Sequence, residues 1–582
     1  MTTFDIALAN REDLKKYGNN AHMLYALELY TGAEDIHSIA ANALTDGPND
    51  KKIDLLYLSR ETGQLIIAQG YYSQLEKESA KGNKASDLSN ALAWLISSPL
   101  EKVPEEIRPQ IQEARAAIKA GEISQLHIWY VHNLPENEKI KNELLTVEHQ
   151  AKDLINQNYS DIQLDFISAK ELGRDYLAKL YEAQESSIII DEKIEIKVPG
   201  AFEVKGEDWS AIVTSVPGEW LYDMYKKYPS LLFSANVRGF MGSRKKDQKI
   251  NNKIKETAIS SPSDFWVYNN GLTALVHDFS YNKTENKLII TGISIVNGAQ
   301  TTGSIGSASQ RPKESLEVQA RFIKSNNTEK IKNITTFNNS QNKVIATDFR
   351  SNDKTQERLR EEFKGYPGFV YFGGRRDFSN ATEGKIEIPT ETCAQALCAF
   401  HGTPWVAYHG KSEIWESNDI YEKIFSDVTT ARHIILVFGL QRAIEEYKLK
   451  LSNLSNISNS FTENHKKQLA FLRRRGSTFL LMNAISNSLE TITDRKLPRK
   501  GFEVSFGHIS NHTDTVNLWL PVVETLIAFY HKLEPALDAS LTNRTKVKEA
   551  VDSFTTYLND ILSFSDETKN KFTQVKSALV YE

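Results

Sequence analysis

The 582-residue chain has little of what marks the commoner functional classes. It holds two cysteines, Cys393 and Cys398, five apart in an apolar helical pattern. That count and spacing argue against a disulfide framework and against a zinc site, and a reducing cytoplasm is the expected setting. No apolar run approaches the ~20 residues that cross a bilayer, so no membrane partner is expected. The opening stretch MTTFDIALANRED lacks a basic segment followed by an apolar one, so no secretion signal is expected. Neither sign of charge is in large excess: 70 Lys and Arg stand against 75 Asp and Glu, a net charge of −5. Any nucleic-acid surface must therefore be a local patch. A Walker A loop, a GxSxG elbow and an HExxH pair are missing, as are internal repeats and long low-complexity segments.

What the chain does have is length enough for two to four domains and a change of texture along it. Up to residue 185 helices alternate with strands: helices at His22 to Tyr30 and Ile36 to Leu44, a hairpin from Ile53 to Tyr72, and helices at Leu88 to Ile96 and Pro104 to Ala120. Strands follow at Gln125 to Val131 and Ile162 to Ile167. From 186 to 389 the pattern is mixed, opening on the β-rich IIIDEKIEIKV. A helix over Val213 to Tyr228 carries Trp220, Tyr222, Met224 and Tyr225, an aromatic set expected in the core. From 390 to 582 the pattern is helical, with one Asn/Ser-rich linker, LSNLSNISNS. The expected fold class is thus multidomain α/β: an N-terminal α/β domain, a central α+β domain and a C-terminal all-helical domain that packs on the centre or forms a homo-oligomer.

The central region carries two Asn-Gly motifs. In each, a short strand (Phe265 to Tyr268, then Ile293 to Val296) is expected to end at Asn269-Asn270-Gly271 or Asn297-Gly298, turning through a positive φ. Asn269, Asn270, Asn297, Gln300 and Thr301 offer hydrogen bonds without charge, so they suit binding more than proton transfer. Upstream, Arg238, Arg244, Lys245 and Lys246 open a basic run that suits phosphate. Arg375 and Arg376 follow an aromatic strand, a combination that suits unpaired bases. The bland alternative is that the Asn-Gly pairs are ordinary turns and the basic run a solvated helix face. Arg473-Arg474-Arg475 and KLPRK are further basic clusters, readable as a groove lining or as solvated helix ends.

The ordered set NVRGFMG, FWVYNNGLTALV, ISIVNGAQTTGSI, FNNSQNKVIATDFRSNDKTQERL and IPTETCAQALCAFHG, from about Asn236 to Phe425, resembles the abortive infection phage resistance (AIPR) family. The resemblance implies a bacterial defence context. The expected partner is nucleic acid, DNA ahead of RNA, or a nucleotide or phage-derived trigger. In the N-terminal domain a second resemblance is to the PD-(D/E)xK nuclease core in its Mrr-like form. It rests on Glu28 on a helix, Asp54 opening a strand, and Gln69 and Tyr71 two apart on one strand face. It implies a restriction-endonuclease-like fold in which Glu28 and Asp54 hold Mg²⁺ and a Lys serves the attacking water. Tyr71 stands where that Lys should be, and a phenol cannot supply its fixed charge. Two readings stay open: a Mg²⁺-dependent nuclease, or a degenerate nuclease fold that binds nucleic acid or nucleotide and recruits a partner.

Overall fold

The computed structural model describes residues 2–581 apart from 46, 48, 163, 186–187, 189, 229–231, 234–244, 309, 341–349, 351–352, 375–384, 458–460, 498–502 and 509–510. The N-terminal region is built on a four-stranded sheet in the order β1-β2-β3-β4: β1 (Leu55–Ser59), β2 (Gln64–Tyr71), β3 (Gln125–His132) and β4 (Phe166–Leu172). The hairpin β1-β2 is antiparallel, whereas β2-β3 and β3-β4 are parallel. Parallel neighbours need crossover helices, and these bury one sheet face. Leu56, Leu65 and Ile67 pack there with the Gly82–Ile96, Arg108–Lys119 and Glu138–Asn158 helices. Ile66, Ala68 and Trp129 alternate to the other face, under the Ala21–Thr31, Ile36–Ala43 and Arg174–Glu185 helices. The last strand lies later than the apolar pattern suggests. Ile162 and Leu164 are loop residues packed against the core, and pairing with β3 begins only at Phe166 opposite Gln125.

The central region is a seven-stranded sheet: β5 (Ile190–Lys197), β6 (Ala201–Lys205), β7 (Trp209–Pro217), β8 (Leu272–Leu275), β9 (Asp278–Asn282), β10 (Lys287–Asn297) and β11 (Glu317–Ser325). Its order is β5-β10-β8-β11-β7-β6, with β9 also on β10, and only β8-β11 is parallel. Two expectations are corrected here. Val213 to Pro217 belongs to β7, and the helix starts at Gly218, because Pro217 caps it and cannot continue the strand inward. Met224 and Tyr225 on that helix are core residues, with Trp220 and Tyr222 packed against them. Phe265–Tyr268 is a short helix and not a strand. Only Phe265 is buried there, while Trp266, Val267 and Tyr268 are exposed, so no alternating face exists for a sheet to cover.

The C-terminal region is helical around the long Ala431–Ile457 helix, with a small antiparallel pair, β14 (Val504–Phe506) and β15 (Leu579–Tyr581). The Lys354–Phe363 helix and the parallel pair β12 (Phe369–Tyr371) and β13 (Ile386–Ile388) contribute Leu359, Phe363, Phe369, Tyr371 and Ile388 to this same core. Cys393 and Cys398 are buried in it, and burial pushes both thiols up, Cys398 to about 12.

The N-terminal and helical regions meet through buried ions. Arg442 sends one nitrogen to Asp35 at 2.7 Å and another to Glu445 at 2.5 Å, with all three side chains under one-tenth exposed. Thr392 donates to Asp35 at 2.6 Å, and Ser38 to Glu445 at 2.6 Å. A second junction has Arg60 and Tyr408 both on Glu113 at 2.6 Å. Removing one member of a buried ion group leaves its partners charged and dry. Arg442→Ala is expected to lose about 3–5 kcal/mol, read as a lower midpoint in urea unfolding followed by circular dichroism.

Candidate functional site

At the carboxyl ends of parallel strands the chain leaves the sheet and side chains converge, which is where ligands sit in open α/β sheets. In the N-terminal region this edge gathers residues around the end of β2. Asp54, 9% exposed, precedes β1 and turns its carboxylate onto β2, where Oδ2 accepts the Gly70 amide hydrogen at 2.7 Å. Its own amide donates to Ala68 at 3.0 Å, so the strand pairing itself fixes the residue. Gln69 is buried, and its Oε1 has no hydrogen-bond partner among the described residues. Tyr71 ends the strand with its ring on the Leu65/Ile67 side of the sheet, against that core.

Three lysines surround Tyr71. Lys77 Nζ donates to the phenol oxygen at 3.2 Å, which lowers the phenol below its ordinary value. The ammonium groups of Lys77, Lys81 and Lys84 lie 6.0, 5.7 and 5.9 Å from the ring centre. Lys84 also donates to Gly70 O at 3.1 Å. Amide and carbonyl of one strand residue point the same way, so Lys84 and Asp54 approach the same edge of Gly70. None of the three lysines forms an ion pair among the described residues. On the neighbouring strands, His132 holds Glu171 at 3.0 Å and Asn133 is tied to Ser73 at 2.8 and 2.9 Å, so the floor of the edge is rigid.

Glu28 does not join this group. It lies on the Ala21–Thr31 helix, whose first turn approaches Gly70 through His22 and Met23. Glu28 is six residues further on, about 9 Å along the axis, and its Oε2 takes Arg11 at 2.5 Å. A divalent cation needs several oxygens converging on one point. Here one carboxylate is engaged by an arginine and the other by an amide, and among the described residues no three of His, Cys, Asp or Glu stand together. As placed, these residues do not fit the Mg²⁺ that the nuclease resemblance implies.

In the central sheet both Asn-Gly motifs turn through positive φ, +73° at Gly271 and +93° at Gly298. The first precedes its strand, β8, and the second follows β10, which pairs with β8 through a bulge before Asn297. The two turns touch. A Cβ at Gly298 would stand 2.6 Å from Gly271 O, and one at Gly271 would stand 2.4 Å from Gln319 O. The glycines therefore let three strands approach closely, which is the structural reading of the motif. Asn269 donates to Phe265 O at 3.0 Å, and Thr301 is buried in the Ala299–Gly306 helix that starts at Gly298. Asn270 and Gln300 stay exposed and available. Arg238, Arg244, Arg375 and Arg376 lie outside the described residues, as do the side chains of Lys245 and Lys246 at the head of the Lys245–Ser260 helix. Gly298→Ala is expected to lose more than about 1 kcal/mol, because it meets both the backbone conformation and the contact, and Gln300→Ala almost nothing; thermal unfolding distinguishes them.

The Arg473–Arg475 cluster separates three ways. Arg474 pairs with Asp538 at 2.7 Å, Arg475 with Glu113 at 3.0 Å, and Arg473 is buried. Lys81 and Lys84 were not legible as site residues. Their signal in the sequence is a spacing of four and three after Lys77, which reads equally well as a solvated helix start. A family model described as AIPR protein matches residues 233–563, more than half of the chain. No curated protein and no solved structure matches.

Proposed function

The chain belongs to the AIPR protein family, and on that premise we propose that it serves phage defence by binding nucleic acid at the carboxyl edge of its N-terminal sheet. Membership supports the abortive-infection role. The observation that carries the rest is the trio Lys77, Lys81 and Lys84, without carboxylate partners among the described residues, around the part-exposed ring of Tyr71. Ammonium groups neutralise phosphates and an aromatic ring accepts a base on its face, the pairing that binds single strands. The engaged carboxylates of Asp54 and Glu28 favour binding over cutting. In this reading the domain keeps a nuclease-like sheet and uses its former working edge as a docking face.

A second reading, a nuclease, is favoured by one contact: Lys84 at Gly70 brings an ammonium to the edge that Asp54 occupies, supplying the cation that Tyr71 lacks. Binding of fluorescent single-stranded DNA, duplex DNA and single-stranded RNA across a salt series tests the first reading. Replacing the three lysines by Ala is expected to weaken binding at least tenfold and to flatten the salt slope by up to about 3. Unchanged affinity and slope would remove the site. Incubation of the same substrates with Mg²⁺ or Mn²⁺, beside Asp54→Ala and Tyr71→Lys, tests the second. Docking predicts no cleavage by the parent protein, whereas cleavage abolished by Asp54→Ala would establish the nuclease.

A further inference from the structure

A separate cavity lies between the N-terminal and helical regions, and two of the cations that line it, Lys448 and Arg473, form no ion pair among the described residues, although Glu106 acts on Arg473 through its charge. Its volume is about 70 Å³, and its walls come from the Glu12–Asn20 turn, the Ile36–Ala43 helix, the Ala431–Ile457 helix and the Glu463–Arg473 helix. Lys448 and Arg473 both face it, each 7% exposed. Among the described residues the Lys448 ammonium has no hydrogen-bond partner and Arg473 forms no hydrogen bond or ion pair. A buried unpaired cation is costly, and two that face one cavity raise the cost through mutual repulsion. Burial, with Arg473 next, pushes Lys448 down to about 7. The nearby carboxylates are committed elsewhere: Glu445 holds Arg442 at 2.5 Å and Glu446 lies 3.6 Å from Lys16.

We propose that this cavity is a binding site for a tetrahedral oxyanion, the size of phosphate, held by Lys448 and Arg473 at the junction of the two regions. A water molecule needs roughly 10–15 Å³ of such space, so the volume admits an ion of that size but not a whole nucleotide. The guanidinium supplies a planar donor pair and the ammonium a point charge, the usual division of labour at phosphate. Asn453, Asn456 and Ser452 add neutral polar groups to the lining. The bound group is either the free ion or the terminal phosphate of a nucleotide whose remainder projects outward. Because its walls belong to both regions, occupancy ties the N-terminal sheet to the helical body.

Proton linkage gives the site its own signature. Burial pushes Lys448 down to about 7, and only its charged form attracts an anion, so binding above that pH takes up a proton and affinity falls as pH rises. The groups facing Lys448 are Arg473, Arg475 and Glu445, while Lys16, His37, Arg442 and Glu446 complete the charged lining. His37 is held by Asp13 at 3.1 Å.

Calorimetric titration of the full chain with sulfate, whose charge is constant from pH 6.5 to 8.5, tests the proposal, with chloride at equal ionic strength as the control. The expected result is saturable sulfate binding that weakens more than tenfold from pH 6.5 to 8.5. Lys448→Arg should retain binding and lose most of that pH dependence. Lys448→Met and Arg473→Met should each weaken binding at least tenfold while melting no lower than the parent, since each removes a buried unpaired charge. Competition against sulfate by inorganic phosphate and by adenosine monophosphate then separates the free ion from a terminal phosphate. Sulfate behaving as chloride does, or binding equally to both Met variants, would overturn the site.

Discussion

One buried guanidinium anchors the junction between the N-terminal and helical regions, beside the second junction at Glu113. Arg442, on the long Ala431–Ile457 helix, reaches across the junction to Asp35, which caps the Ile36–Ala43 helix by accepting from Ser38 at 3.0 Å. Burial alone would push the Asp35 carboxyl up, but Arg442, Thr392 and the Ser38 amide hold it well below the ordinary carboxylate range. A group so shifted keeps its contribution at all pH values above its unfolded pKa and loses it only as pH falls through the lower folded value. The family match begins at residue 233, so the N-terminal sheet lies outside the matched region and is fastened to the matched helical body through this contact and the Glu113 junction. The cavity beside Lys448 lies on the same seam, where Arg442 and Glu445 form part of its wall.

Much of the architecture was legible because the signals were periodic or chemically forced. The β1-β2 hairpin, the fully buried β3 and most C-terminal helices follow from alternation or from three- and four-residue spacing. Asp353 caps the Lys354–Phe363 helix, its side chain accepting from the Thr355 amide at 2.9 Å. The readings that failed did so where a run of residues lacked its tertiary partner. Phe265 to Tyr268 has strand-forming residues but pairs with no strand among the described residues, reaching β7 through the Trp266 side chain on Ser215, and a strand is defined by what it pairs with. At Val213 to Tyr228, the change from strand to helix at Pro217-Gly218 was hidden inside one continuous apolar pattern.

The candidate sites show a different limit. The Asn-Gly motifs were read for their hydrogen-bonding groups, yet the glycines hold them together, because Gly271 and Gly298 let strands approach where any Cβ would collide. Asp54, Gln69 and Tyr71 could be placed from strand spacing, but Glu28 is drawn away by Arg11, a partner seventeen residues distant that no local pattern indicates. The same holds for charge. Of three consecutive arginines, two are neutralised by distant acids and one is left in a cavity, a division that exists only in the folded chain.

The central functional claim is that the end of β2 and the lysines after it contact nucleic acid. Photo-crosslinking to single-stranded DNA carrying 5-iodouracil, followed by peptide mapping, tests it without altering the protein. The account predicts adducts between residues 69 and 84, centred on Tyr71. Adducts confined to the central segment between 236 and 306, or none under conditions that support phage defence, would contradict it.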